Sequence, residues 1–124
     1  MMVVVDTNVL IDVLRGDPGA IEALERRATA DVVVPSMVRF EVLAGARTSE
    51  MTVITALLSA CIDAPVDASI ADEAASLARR YARSHTGIDP IDYVVAATAR
   101  LLDAELLTRN VKHFPMFRRL KSPY

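Results

Sequence analysis

The chain is poor in the residues that support covalent, redox or zinc chemistry. Its 124 residues include one cysteine, no tryptophan and two histidines. A lone cysteine cannot form an intrachain disulfide, and Cys61 is expected to be a small core residue in a protein of the reducing cytoplasm. The glycine-rich phosphate and dinucleotide motifs, CxxC pairs, HExxH and GxSxG are all missing. These absences leave no basis for a P-loop, dinucleotide-binding, zinc or serine-hydrolase function.

Long apolar segments are missing as well. No run approaches the roughly 18–20 apolar residues that a membrane-spanning helix needs. The N-terminus also lacks the basic segment of a signal peptide. Because hydrophobic residues nevertheless make up 52% of the chain, we expect a single folded domain, residues 1–124, with one core.

The formal net charge of −2 conceals an uneven distribution of charge. Four of the sixteen acids are candidates for one shared site, and the other twelve would then face fourteen basic residues. The four acids are Asp6, Glu41, Asp89 and Asp92. Twelve of the basic residues are arginines, which suit bidentate contacts with phosphate, although a GC-rich genome would produce the same bias.

Short apolar runs alternate with helical patterns along the chain. Residues 3–5 are β-branched and apolar, which is typical of a strand buried on both faces. Further strands are predicted at residues 32–34, 62–66 and 104–107, and the tail, residues 114–124, is predicted to be a short strand and a loose end. Helices are predicted at residues 9–14, 18–28, 36–45, 51–60, 68–83 and 90–102. This alternation predicts an α/β fold, a three-layer α/β/α sandwich around a mostly parallel sheet.

Three carboxylates lie in or beside segments that should be buried. Asp6 follows the first strand, Glu41 lies within an apolar helix, and Asp92 opens another. A buried carboxylate without a partner is costly, and no Lys or Arg adjoins Asp6 or Asp92. The reactive crevice of a parallel sheet lies at the carboxyl ends of its strands, so the acids are expected to meet there around a cation. Oxygen ligands without Cys or His select Mg²⁺ or Mn²⁺, which activate water and neutralise phosphate charge.

Each candidate also has an ordinary structural interpretation. Asp6 and Asp89 can cap the helices that follow them, and an acid at the position of Asp92 favours the helix dipole. Glu41 can occupy a solvated edge, and Asn110 can be a turn residue instead of a ligand.

Other polar residues are interpreted as structural or solvated. Ser36 is expected to cap the helix that begins there, and Asp12 and Arg27 are expected to face solvent. A two-histidine nuclease mechanism is disfavoured, because neither His85 nor His113 has the buried, partnered setting that such a residue needs.

Four segments resemble, in order, the motifs of PIN-domain ribonucleases. The spacing of these segments and the length of the chain resemble those of the VapC toxins of bacterial toxin–antitoxin pairs. The segments are VVDTNVLID from residue 4, FEVLAG from residue 40 preceded by PS at residue 35, DYVVAATA from residue 92 and LTRNVKHF from residue 107. The likeness covers essentially the whole chain, and the four motifs together are specific although each alone is weak.

The resemblance implies a compact α/β/α sandwich, dependence on Mg²⁺ or Mn²⁺, and endonucleolytic cleavage of RNA. It also implies a homodimer and inhibition by a cognate VapB antitoxin. Asp6, Glu41 and Asp92 take the positions of the family's metal-binding acids. Asn110 stands where many members have a fourth Asp, which leaves open whether one metal ion or two would bind.

The resemblance also implies supporting roles. Asp89, three residues before Asp92, is expected to compensate in part for Asn110. Thr7, Asn8 and Thr108 match positions that support the acids through hydrogen bonds.

The sequence is therefore interpreted as a metal-dependent endoribonuclease. Candidate RNA contacts are Arg47, Arg109, Arg118, Arg119 and Lys121, although each can equally be solvated surface charge. The alternative is a non-catalytic PIN-like module that binds RNA or protein, which Asn110 keeps open. A receiver-like domain that accepts phosphate on Asp6 is a third interpretation, for which Lys112 is a poor partner.

Overall fold

The computed structural model describes every residue from Met1 to Tyr124 as one α/β chain with four strands and six α-helices. The strands are β1 (Met2–Val5), β2 (Asp31–Pro35), β3 (Ile62–Ala64) and β4 (Glu105–Leu107). The helices are α1 (Thr7–Leu14), α2 (Pro18–Glu25), α3 (Ser36–Ala44), α4 (Met51–Ser59), α5 (Ala68–Tyr81) and α6 (Pro90–Leu101). Short 3₁₀ turns lie at Thr48–Glu50 and Val111–His113. No helix is both long and apolar enough to span a membrane.

The four strands form one sheet in the order β3-β2-β1-β4, and every neighbouring pair is parallel. Val3, Val4 and Val5 are completely buried, as expected of a central strand covered on both faces. The predicted α/β fold with a parallel sheet is confirmed.

The strand order reverses direction at β1. The chain steps outward from β1 through β2 to β3, and it later returns to place β4 on the opposite side of β1. Such a reversal opens a crevice at the carboxyl ends of the two strands that flank it. Those strands are β1 and β4, and the residues that follow them are Asp6 and Thr108.

Helix α6 lies at the centre of the fold, which agrees with the prediction that the apolar helix opened by Asp92 is buried. It packs on β1, β2 and β4, and α5 packs against it. Its buried positions run almost without interruption from Asp92 to Ala99, so a helix with little contact with water carries Asp92 in its first turn.

The predicted strand in the tail is absent. Phe114 and Met116 are buried in the core instead, and Pro115 lies between them, where a ladder hydrogen bond would be lost. The tail does not end loosely, because the Tyr124 hydroxyl donates a 2.7 Å hydrogen bond to Asp12. The interpretation of Asp12 as a solvent-facing acid was therefore also wrong.

Two other local predictions were wrong. Ser36 does not cap α3: Pro35 occupies that position, and the Ser36 hydroxyl donates to the carbonyl of Ala64. Arg27 does not simply face solvent, because its guanidinium donates to both carboxylate oxygens of Glu105, at 2.9 and 2.6 Å. Both contacts join segments that are far apart in sequence.

Candidate active site

Asp6 lies at the reversal of the sheet, and only 5% of its surface is exposed. Its Oδ1 accepts a 2.8 Å hydrogen bond from the backbone N–H of Thr7, so it caps α1. Its Oδ2 accepts from the Asn8 amide at 3.1 Å and from the Thr108 hydroxyl at 2.8 Å. The Asp6 backbone N–H donates to the carbonyl of Leu107. Asp6 thus caps α1, and its buried carboxylate accepts hydrogen bonds both from the start of α1 and from the residue that follows β4.

Burial dominates the ionisation of Asp6. Loss of water raises the pKa of its carboxyl above the ordinary value, and the negative charge of Asp89 acts in the same direction. Hydrogen bonds from Thr108, Thr7 and Asn8 lower this pKa without cancelling the effect of burial. The ionised carboxylate is therefore short of compensating positive charge.

Thr108 ties the loop after β4 to the start of α1. It is fully buried, and besides donating to Asp6, its hydroxyl oxygen accepts from the backbone N–H of Asn110 at 3.0 Å. The side-chain oxygen of Asn8 accepts from the backbone N–H of Arg109 at 2.9 Å. These bonds fix the position of the carboxylate between the two strand ends.

Glu41 is connected to the same edge through Thr7. The Thr7 hydroxyl donates to Oε1 of Glu41 at 2.6 Å. Glu41 is half-buried on α3, which packs against both α1 and α6. The second acid of the predicted set is therefore hydrogen-bonded to the residue that follows Asp6.

Asp89 and Asp92 form a reciprocal capping box at the start of α6. The backbone N–H of Asp92 donates to Asp89 Oδ1 at 3.0 Å, and that of Asp89 donates to Asp92 Oδ2 at 3.2 Å. The prediction that both residues stabilise the start of this helix is thus confirmed. Capping does not account for the burial of Asp92, which is 8% exposed.

Asp92 has the largest carboxylate pKa shift in the chain. Burial raises its pKa to about 6, and the negative charges of Asp89 and Asp6 contribute to the increase. The charges of Asp6 and Asp92 therefore act on each other across the carboxyl edge of the sheet. A cation between them would relieve both the burial penalty and the repulsion.

His113 is the polar partner that the sequence interpretation missed. Its Nδ1 lies 3.1 Å from Oδ2 of Asp92 and its side chain is 24% exposed, so the expectation that it lacks a partner was wrong. An ionised carboxylate only accepts hydrogen bonds, which assigns the proton to Nδ1 when Asp92 is charged. The indication available in sequence was its position in the fourth motif, three residues after Asn110.

The remaining predicted residues lie around this edge or away from it. Asn110 is exposed, and its backbone N–H, not its side chain, bonds to Thr108. Arg109 pairs with Asp12 at 2.9 Å and lies over the ring of Tyr124. Arg47 is exposed before α4, and its backbone N–H donates to Glu50.

The basic residues near the C-terminus lie elsewhere. Arg118, Arg119 and Lys121 line a groove beside β4. That groove includes Leu107, whose carbonyl accepts from Asp6.

The donor chemistry of the edge suits a hard cation. Asp6, Glu41 and Asp92 offer only oxygen ligands, and none of them forms an ion pair with Lys or Arg. No three acidic, histidine or cysteine side chains approach closely enough to hold an ion as they stand. Binding a cation would therefore draw the acids closer than they lie in this structure.

Comparison with known proteins identifies the family of the chain. The PIN domain family model matches residues 3–120. Ribonuclease VapC19 of Mycobacterium tuberculosis is 46% identical over 125 residues, covering 99% of this chain and all of that protein. A toxin–antitoxin complex from Klebsiella pneumoniae contains a chain with a TM-score of 0.84 and 29% identity over 98% of both chains. DNA-bound VapBC from Salmonella typhimurium, at 19% identity and a TM-score of 0.85 over 100% of this chain and 99% of that one, shares the fold. The chain, whose acids gather at the reversal of a parallel sheet, belongs to the PIN-domain family.

Proposed function

We propose that this chain is a metal-dependent endoribonuclease and the toxin of a toxin–antitoxin pair, acting as one PIN domain. The observation that carries the proposal is Asp6, a carboxylate 5% exposed at the sheet's reversal. It has hydrogen-bond donors but no cationic side chain to balance it. Relatives of this chain include proteins named as VapC ribonucleases. The cytoplasm is the proposed site of action.

Asp6, Glu41 and Asp92 would hold the ion, and their oxygen ligands favour Mg²⁺, with Mn²⁺ as the other candidate. When bound, such an ion lowers the pKa of a water ligand and neutralises charge on a phosphate. Asp89 adds negative charge at the same edge. Asn110, being neutral and exposed, would contribute at most an oxygen to a second ion or to a bound water.

The chain's own residues orient the acids. Thr108 and Asn8 hold the Asp6 carboxylate, and the Thr7 hydroxyl holds Oε1 of Glu41. His113 limits the rotation of Asp92. Hydrogen-bonded partners of this kind orient ligand side chains and limit how far they must move to bind an ion.

An antitoxin of the VapB type is the proposed partner. Structures similar to this chain include toxin–antitoxin and VapBC complexes.

A homodimer is also proposed. Phe40 on α3 and Val53 on α4, each 61% exposed, offer apolar surface that a second copy would cover.

The competing function is a PIN-like module that binds RNA or protein without cutting it. Asn110 favours this non-catalytic module, because a neutral amide stands at the position where a fourth carboxylate would add affinity for the ion. A module of this kind would show no metal-dependent cleavage and no stabilisation by Mg²⁺.

The decisive experiment incubates the purified chain with total cellular RNA, with and without Mg²⁺ or Mn²⁺, and maps the ends of the products. Asp6→Asn keeps the shape of the side chain but removes its charge. Asp72→Asn is the matched control, because it makes the same change on the exposed surface of α5. The expected result is metal-dependent cleavage that leaves 5′-phosphates, is lost in Asp6→Asn and persists in the control.

Two other outcomes would contradict the proposal. Products ending in 2′,3′-cyclic phosphate would indicate a histidine mechanism instead. Full activity of Asp6→Asn would remove this carboxylate from the chemistry.

A further inference from the structure

A large groove runs along the outer edge of β4. Its volume is about 970 Å³, at the upper end of the range for ligand pockets. It is lined by Arg26 and Arg27 after α2, by residues 104–107 and by residues 116–123 of the tail. We call this feature the β4 groove.

Its charge is positive although the whole chain carries a formal net charge of −2. The single acid in its lining, Glu105, is neutralised by the two hydrogen bonds from Arg27. The other four cations, which form no ion pair, are Arg26, Arg118, Arg119 and Lys121. All four are exposed. Clustering of this kind within a concave surface concentrates anions.

Part of the lining of the groove is apolar. The largest apolar residues in it are Leu106, Leu107, Met116, Phe117 and Leu120. Phe117 is half-buried and lies 6.5 Å from Phe114, centre to centre. Phe117 and Leu120, which are half-buried, can contact the faces of bases while the exposed cations of the lining bind phosphates.

The β4 groove and the candidate active site share one strand. Leu107, the last residue of β4, belongs to the lining of the groove. The next residue, Thr108, donates to the Asp6 carboxylate. A strand advances by about 3.3 Å per residue, so the lining of the groove ends one residue before a residue that contacts Asp6.

We propose that the β4 groove binds the single-stranded RNA substrate on one side of the bond to be cleaved, with Arg118 and Arg119 contacting its phosphates. The inference rests on the proposed function, since it names where the substrate of that site lies. RNA is favoured over an acidic peptide because guanidinium forks suit phosphate and because the proposed function of this chain is RNA cleavage.

The test measures binding separately from cleavage. Every variant carries Asp6→Asn, so that the labelled single-stranded RNA of mixed sequence stays intact in Mg²⁺. The affinity of R118Q/R119Q for this RNA is measured at several salt concentrations. Its control is R79Q/R83Q, which removes the same charge from exposed positions on and just after α5.

Each phosphate contact to a single strand contributes about 0.7 to the slope of log affinity against log salt. The slope should therefore fall by about 1.4 in R118Q/R119Q, with weaker binding at every salt concentration. The control should keep the slope of the parent protein. Circular dichroism and melting of each variant check that the fold is intact.

Equal slopes in the two double variants would overturn the inference. So would unchanged RNA binding together with loss of binding to poly-glutamate, which would assign the β4 groove to an acidic peptide. Failure of the proposed function is a different result, because it appears as absence of metal-dependent cleavage by the protein that retains Asp6.

Discussion

The hydroxyl of Thr7 donates a 2.6 Å hydrogen bond to Oε1 of Glu41 and so joins the first turn of α1 to the middle of α3. Asp6, directly before Thr7, accepts from the backbone N–H of that same residue. Thr7 therefore sets the relative positions of two of the proposed metal ligands, one through its backbone and one through its side chain.

Thr7→Val should reduce RNA cleavage by about 10- to 100-fold, the usual cost of losing a partner that orients a metal ligand. Valine has the shape of threonine but cannot donate to Glu41. The free energy of unfolding should fall by about 1 kcal/mol. Cleavage assays across a Mg²⁺ titration and urea unfolding measure the two effects. Thr7→Ser keeps the hydroxyl and should retain most activity; equal loss in both variants would contradict the role given to the hydrogen bond.

The stability of the metal-free protein should depend on pH through Asp92. Folding raises the pKa of this carboxyl from 3.8 to about 6, so the folded state binds the proton more tightly than the unfolded state does. The stabilising contribution is complete below about pH 4 and is lost as the pH rises to about 6. The unfolding free energy of the unsubstituted protein, relative to Asp92→Asn, should therefore fall by on the order of 2 kcal/mol across this interval.

Urea unfolding in chelator at pH 4, 5, 6 and 7 measures this difference. Asp63→Asn is a control, because Asp63 is an exposed acid on β3 away from the sheet's reversal. A difference between the unsubstituted protein and Asp92→Asn that stays constant with pH would contradict the assignment.

His113→Ala should weaken metal binding, because Asp92 would be free to rotate away from the ion. His113→Asn can place an N–H near the position of Nδ1 and should restore part of the lost affinity. The increase in melting temperature on adding Mg²⁺ measures the effect without relying on cleavage. Equal affinities in the alanine and asparagine variants would show that the 3.1 Å contact with Asp92 does not position the carboxylate.

Tyr124→Phe should lower the free energy of unfolding by about 1 kcal/mol. The lost hydroxyl donates to Asp12 at 2.7 Å and is the main cause of the lowered pKa of that carboxyl. Tyr81→Phe is a control, since the hydroxyl of Tyr81 donates no hydrogen bond. Matching urea midpoints for the two variants would mean that the tail contributes nothing through this contact.

The sequence predicted best what short segments determine by themselves. Three consecutive valines identified β1 as a central strand, and Asp89-Pro90 followed by apolar residues identified the start of α6. The positions of Asp6 and Thr108 at strand ends then followed from the rule that parallel strands share a carboxyl edge.

Contacts between distant segments could not be predicted in this way. Asp12 is paired by Arg109 and Tyr124, which lie 97 and 112 residues away. His113 reaches Asp92 across 21 residues. No local pattern distinguishes these partners from solvated side chains. The apolar content of the tail predicts a strand, but Pro115 cannot donate a ladder hydrogen bond and Phe114 is buried in the core.

The sequence separation of 102 positions between Asp6 and Thr108 determines when the site is complete during synthesis. A ribosome makes Asp6 at the outset, but the hydroxyl that holds its carboxylate is added only after most of the chain has emerged. Contacts this distant in sequence also close late in folding, because the entropy of a long loop must be lost first. The proposed nuclease site is therefore incomplete in the nascent chain until β4 pairs with β1.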